Sequence, residues 1–168
     1  FVPSRGLGDV YKRQDQGRIA IGGMGEVRRV HDPILKRTLA MKIIRWSLLQ
    51  NPEAQRRFTE EARITAQLQH PGIVAIHDTG TLADGRLWYT MPVIHGATFT
   101  DALAGMQRSD GSRWSSWNRH RLLSAFHRAS SAVAYAHSQG VIHRDLKPDN
   151  IMIGSFDEIM VMDWGIAA

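Results

Sequence analysis

His143-Arg144-Asp145-Leu146-Lys147-Pro148-Asp149-Asn150, followed thirteen residues after Asn150 by Asp163-Trp164-Gly165, is the stretch on which the reading of this chain turns. Either run alone could be a solvated polar loop. Together they are more specific, because two short strand-like runs, 151–153 and 159–162, lie between them at hairpin spacing. A long helical pattern precedes them and is stopped by Gly140. That helix is expected over 117–138, with Leu122, Phe126, Ala129, Val133 and Ala136 recurring at helical spacing as its apolar positions.

Working outward, a polar loop at 108–116 and a short helical stretch after Gly96 lie upstream of the long helix. Before them, runs 73–81 and 86–93 read as strands joined by the turn residues Ala83-Asp84-Gly85. Asn51-Pro52 reads as a helix start, with Asn a preferred cap and Pro tolerated at the first helical position; the helix should reach about Gln69, before His70-Pro71-Gly72. At 100° per residue, Phe58, Glu61, Ala62, Thr65 and Leu68 share one face and Glu60 points away. Glu61 therefore sits inside an apolar stripe, and a buried charge needs a partner. The chain's first pattern, from Gly17, is strand, Gly-rich turn, strand, and a further strand at 38–44 follows a turn at Asp32-Pro33.

These motifs resemble those of protein kinases. His143 to Asn150 resembles the catalytic loop H-R-D-L-x-x-x-N, and Asp163-Trp164-Gly165 the D-F-G magnesium motif with Trp in place of Phe. Leu39-Ala40-Met41-Lys42 resembles the V-A-I-K strand, and Glu61 is in place to be the helix carboxylate that pairs with its lysine. The run Gly22-Gly23-Met24-Gly25-Glu26-Val27 resembles the Gly-rich loop of bacterial Hanks-type serine/threonine kinases, although Ala20 replaces the loop's first glycine.

The resemblance implies an α+β protein-kinase-like fold: an antiparallel β-sheet lobe with one helix at 15–94, then part of a mainly helical lobe at 95–168 that ends just after the Asp-Trp-Gly motif. It implies ATP and Mg2+ as cofactors and Ser/Thr hydroxyls of proteins as acceptors. Asp145 would accept or orient the acceptor proton, Lys147 would reach the transferring phosphate, and Lys42 with Glu61 would hold the α- and β-phosphates. Asn150 and Asp163 would hold magnesium, hard oxygen ligands for a hard cation. Gly22, Gly23 and Gly25 would approach the phosphates; Val27 and Ala40 would cover the base from one side and Met152 from the other. Met91 would be the gatekeeper and Pro92 to Ile94 the hinge, where the family uses the carbonyl at 92 and the N–H at Ile94, so a proline is tolerated. Trp164 is larger than the usual Phe and carries an N–H that wants a partner.

Composition is that of an ordinary folded protein, with 43% hydrophobic and 22% charged residues and no cysteine, which excludes a disulfide framework and thiolate zinc sites. No run is long enough to span a bilayer, so a cytoplasmic kinase domain is expected, with any membrane anchor outside these residues. The net charge of +5 raises nucleic-acid binding, but residues 4–14 back-translate to a run resembling a transposase-type sequencing adapter. Residues 1–14 are therefore expected to be a disordered scar, and without 4–14 the charge falls to +3, so no nucleic-acid partner is expected. The alternatives are a nucleotide-binding pseudokinase or interaction module, disfavoured because Lys42, Glu61, Asp145, Asn150 and Asp163 are all present, and a small-molecule phosphotransferase. Because a kinase domain is larger than this chain, the 168 residues are expected to be inactive by themselves.

Overall fold

The structure, a computed structural model, describes residues 2–5, 12–107 and 117–164. The chain divides into two compact units, Phe1–Gln67 with Ala75–Val93 and Leu68–Val74 with Ile94–Ala168. The segment Leu68–Val74, expected with the first part of the chain, thus groups with the second.

The first unit is an antiparallel sheet closed into a barrel in the order β1-β2-β3-β4-β6-β5. Its strands are β1 (Val2–Arg5), β2 (Lys12–Ile21), β3 (Gly25–Asp32), β4 (Arg37–Ile44), β5 (Asp78–Leu82) and β6 (Leu87–Pro92). Alternating residues from these strands build the core, where Val30, Leu39, Met41, Ile43, Leu82 and Trp88 cluster. The turn at Asp32-Pro33 forms because the buried Asp32 carboxylate accepts the backbone N–H groups of Ile34 and Leu35, each at 3.1 Å. Gly25 faces Ile44 across the β3–β4 ladder, and a Cβ there would lie 2.6 Å from the Ile43 carbonyl oxygen. Only glycine lets β3 approach β4 this closely.

Residues 1–14, expected to be a disordered scar, are described in part. Val2–Arg5 forms β1, which pairs with β2 on one side and β5 on the other and closes the barrel. The buried Arg13 joins Asp78 at 2.7 Å and lies 5.0 Å from the Trp88 ring centroid. The physical reason is the open edges of β2 and β5, whose unpaired backbone groups accept another strand. Residues 6–11 lie outside the described residues.

The helix α1 (Pro52–Gln67) begins as its sequence dictates: the Asn51 side chain accepts the Ala54 N–H at 3.1 Å, and Pro52 takes the first position. Phe58, Glu61, Ala62 and Thr65 are its buried residues. The strand expected at 73–81 is shorter than its pattern. Only Asp78–Leu82 joins the barrel, whereas Ile73 bridges to Val161 in the second unit.

In the second unit, β7 (Gly96–Thr98), β8 (Ile151–Gly154) and β9 (Ile159–Val161) form a three-stranded sheet. Helix α2 (Phe99–Met106) opens with a capping box between Thr98 and Asp101, and α3 (Arg119–Ser138) opens on Asn118, whose side chain accepts the Arg121 N–H. Of the expected apolar positions of α3, Ala129 and Ala136 are buried, and Phe126 is the correction. The buried residues of the helix are Ala125, Ala129, Ala132 and Ala136, while Phe126 is 58% exposed. Small side chains win because backbone lies against this face: a Cβ on Gly72 would be 2.9 Å from that of Ala132, and the Gly72 carbonyl accepts the Val161 N–H at 2.8 Å. The loop at 108–116 lies outside the described residues.

The Gly25 contact carries a prediction. Gly25→Ala should destabilise the chain by about 1–3 kcal/mol, the usual cost of overpacking against backbone that cannot move aside. A urea midpoint equal to that of the unsubstituted chain would contradict it.

Candidate functional site

Two site residues of the first unit form an ion pair. Lys42 sits on β4 and Glu61 on α1, and the Lys42 Nζ donates to Glu61 Oε1 at 2.6 Å. Both side chains are largely withdrawn from solvent, 16% and 4% exposed. The expected partner of the carboxylate in the apolar stripe is therefore found. Removing one member of such a pair leaves an uncompensated buried charge, at a cost of about 3–5 kcal/mol.

Sequence reasoning missed a third member. Tyr89, on β6, is the cross-strand neighbour of Lys42, and its hydroxyl donates to the same Glu61 Oε1 at 2.7 Å. A tyrosine in an apolar strand run signals a buried hydroxyl needing a partner, but only the β4–β6 register says which partner it meets.

The Gly-rich turn closes by Gly22 N–H donating to the Gly25 carbonyl at 2.8 Å. Gly22 and Gly23 are exposed, and a Cβ on Gly23 would meet nothing within 4 Å, so this backbone is bare. Gly25 is different: its missing side chain is demanded by β4, as described above. Ala40 and Met91 are buried and face each other across β4 and β6, and Val27 pairs with Lys42 across β3 and β4. Pro92 ends β6, where its missing N–H breaks no ladder interior. Ile94 and Met152 belong to the second unit, Met152 on β8.

In the second unit, the catalytic-loop resemblance becomes a hydrogen-bonded cluster. Asn150 ends a single 3-10 turn, Pro148–Asn150, and its amide donates to the Asp145 carbonyl at 2.8 Å and to Asp145 Oδ2 at 3.3 Å. Lys147 Nζ donates to Asp145 Oδ2 at 2.9 Å. Thr100, in the first turn of α2, donates its hydroxyl to Asp149 at 2.8 Å. The buried His143 accepts the Asp145 N–H on Nδ1 at 3.3 Å, so its other nitrogen carries the proton and donates to the Met162 carbonyl at 2.8 Å. The Met162 N–H donates in turn to the Asn150 carbonyl at 2.8 Å, tying the loop to the segment that ends in Asp163.

Asp163 is exposed and holds a left-handed backbone, φ 60°, as does Arg144 at φ 64°. Trp164 is buried, packs against the His143 ring at 4.6 Å between centroids, and donates its indole N–H to the Val161 carbonyl at 3.3 Å. The extra donor of this Trp is thus satisfied within its own turn. Gly165 lies outside the described residues.

Asp145 is half-exposed, and the Lys147 ammonium beside it holds its carboxyl below the usual aspartate range. Lys147 is held above its own usual range chiefly by the same contact.

A family model described as the protein kinase domain matches residues 13–168. The chain belongs to the protein kinase domain family. It is 42% identical over 153 residues to the serine/threonine-protein kinase PknD of Protochlamydia amoebophila, and 41% identical over 152 residues to the PknD of Chlamydia pneumoniae. These alignments cover 89% of this kinase chain and 16% of either relative, so the chain spans a small part of their length. The crystal structure of the Mycobacterium tuberculosis PknI kinase domain matches with a TM-score of 0.70 at 29% identity, covering 93% of this chain and 59% of that one. This kinase chain is of the bacterial Hanks type, and the family generally uses ATP and Mg2+. No helix among the described residues is long and apolar enough to cross a membrane.

The carboxyl of Asp145 gives the pH prediction. A depressed carboxyl stabilises the fold above the ordinary aspartate range and loses that contribution as the pH falls through its lowered value. Lys147→Met should move the Asp145 titration upward, towards the ordinary range, followed by carbon-13 NMR of the carboxyl group. An unmoved titration would contradict the assignment of Lys147 as the cause.

Proposed function

We propose that the protein carrying this chain transfers the γ-phosphoryl group of ATP to Ser or Thr hydroxyls of proteins. The observation that carries the reading is the Lys42–Glu61 pair, a cation held in the interior at 2.6 Å from its carboxylate. A lysine serving only a surface strand has no reason to accept this desolvation; a lysine that must present charge at one fixed point does.

The residues present fit a magnesium nucleotide. Lys42 supplies a fixed positive charge for phosphate oxygens, and the exposed Gly22 and Gly23 supply backbone without side chains, the arrangement that lets N–H groups approach phosphate, while Gly25 seats the turn against β4. Among the described residues, Asn150 spends its NH2 group on Asp145, which leaves its amide oxygen, a hard donor, for a cation. The carboxylate of Asp163 is the second such donor. In the first unit, Val27, Ala40, Met91 and the carbonyl of Pro92 are the proposed contacts of the base.

When bound, magnesium neutralises charge on the transferred group. The chain's own residues orient the reaction. Asp145, kept ionised by Lys147, orients the acceptor hydroxyl and takes its proton; Lys147 is close enough to the same carboxylate to follow the transferring charge. His143 and Trp164 hold the backbone on either side of this group and touch no reacting atom in this scheme.

Three substitutions test the reading in the full protein. Asp145→Asn should abolish phosphate incorporation into a generic basic protein with nucleotide affinity nearly unchanged, because Asp145 meets the acceptor and not the nucleotide. Asp163→Ala should lower magnesium-dependent nucleotide binding and transfer together, and Lys42→Met should cut turnover severely. Transfer surviving Asp145→Asn at full rate would overturn the assignment, as would tight nucleotide binding with no transfer by the unsubstituted protein.

A further inference from the structure

We propose that Tyr89 is a positioning residue for phosphoryl transfer, its hydroxyl holding the Glu61 carboxylate in the orientation that fixes Lys42; this rests on the reading of Lys42 given above. Tyr89 touches both members of the pair. Its hydroxyl donates to Glu61 Oε1 at 2.7 Å, and the Lys42 ammonium lies 5.6 Å from the centre of its ring. The ring also packs at 5.2 Å on Phe58, one turn before Glu61 on α1. Tyr89 is 3% exposed, so all of this takes place out of water.

Glu61 Oε2 is buried and has no hydrogen-bond partner among the described residues, so Oε1 carries both donors. A carboxylate held by one flexible lysine alone can turn about its own terminal bond. A second donor on a rigid strand removes that freedom, and the β4–β6 ladder places Tyr89 directly opposite Lys42. Packing alone does not ask for the hydroxyl. Phenylalanine would fill the same space against Phe58, and a buried hydroxyl carries a desolvation cost that only its hydrogen bond offsets. The bond also runs from the sheet to α1 at the residue that matters, so the strand bearing Lys42 and the helix bearing Glu61 are aligned by a contact that neither residue makes alone.

The test uses Tyr89→Phe, Glu61→Gln and the double substitution in the full protein. The first readout needs no nucleotide: the side-chain ammonium resonance of Lys42 in nitrogen-15 lysine-labelled protein, identified by its loss in Lys42→Met. Tyr89→Phe should broaden or shift this resonance. With ATP and a basic protein substrate it should lower kcat by about fivefold to tenfold while the KM for ATP changes by less than about twofold. In the Glu61→Gln background the same substitution should lower kcat no further, because the residue through which Tyr89 acts is already altered. An unchanged ammonium resonance with unchanged kcat would overturn the proposal, and so would an equal loss of kcat in both backgrounds, which is the behaviour of a purely structural contact. If the unsubstituted protein transfers no phosphate, the kinase reading fails, while the resonance still decides whether Tyr89 orders the pair.

Discussion

A positive and a negative charge largely withdrawn from solvent together, Lys42 and Glu61, constrain how the first unit packs. Neither can be left alone in the interior, so β4 and α1 must pack with one particular residue of each in register. Phe58 and Tyr89, buried and packed ring on ring, shield the Glu61 side of the pair from water. Water exclusion strengthens the attraction and also raises the penalty for every wrong arrangement. The same feature that makes the pair costly to build makes the helix placement specific.

The second unit solves a different problem. Its charged groups, Asp145, Lys147 and Asp163, are partly or fully exposed, and the neutral Asn150 is buried, so their positions come from hydrogen bonds to backbone and not from burial of charge. His143, Asn150 and Met162 form a chain of donors and acceptors that joins the loop to the segment before Asp163. Arg144 and Asp163 both hold left-handed backbone, which costs of order 1 kcal/mol for a residue with a Cβ and persists only where neighbours over-determine it. Here the neighbours are the buried His143 and Trp164, stacked ring on ring. Trp164, which departs from the family's Phe, adds a hydrogen bond to Val161 without leaving a donor unpaired.

Much of this was legible in the chain itself. The cap at Asn51-Pro52, the turn at Asp32-Pro33 and the short hairpin after Asn150 are local, decided by residues within a few positions of each other, and they form where the sequence puts them. The stripe of α1 was legible too, because 100° periodicity places Phe58, Glu61, Ala62 and Thr65 together whatever the helix packs on. Periodicity was a poorer guide on α3. Nearly all of that helix's non-polar residues could make a stripe, and the closeness of the approaching backbone selected the alanines over Phe126.

By itself, then, the sequence determined which chemical groups exist, their order, and the elements that carry them: a lysine on a strand, a carboxylate in an apolar helix face, and a polar loop before a hairpin. Tertiary structure decided the contacts that depend on strand register and on distant segments. The β4–β6 ladder set Tyr89 opposite Lys42, the open sheet edges drew Val2–Arg5 into the barrel, and the segment around Gly72 lay on α3 and bonded to Val161. The physical reason is the same in each case. A ladder's register and a helix's neighbour are set by the summed packing of residues far apart in the chain, and no local pattern of side chains encodes that sum.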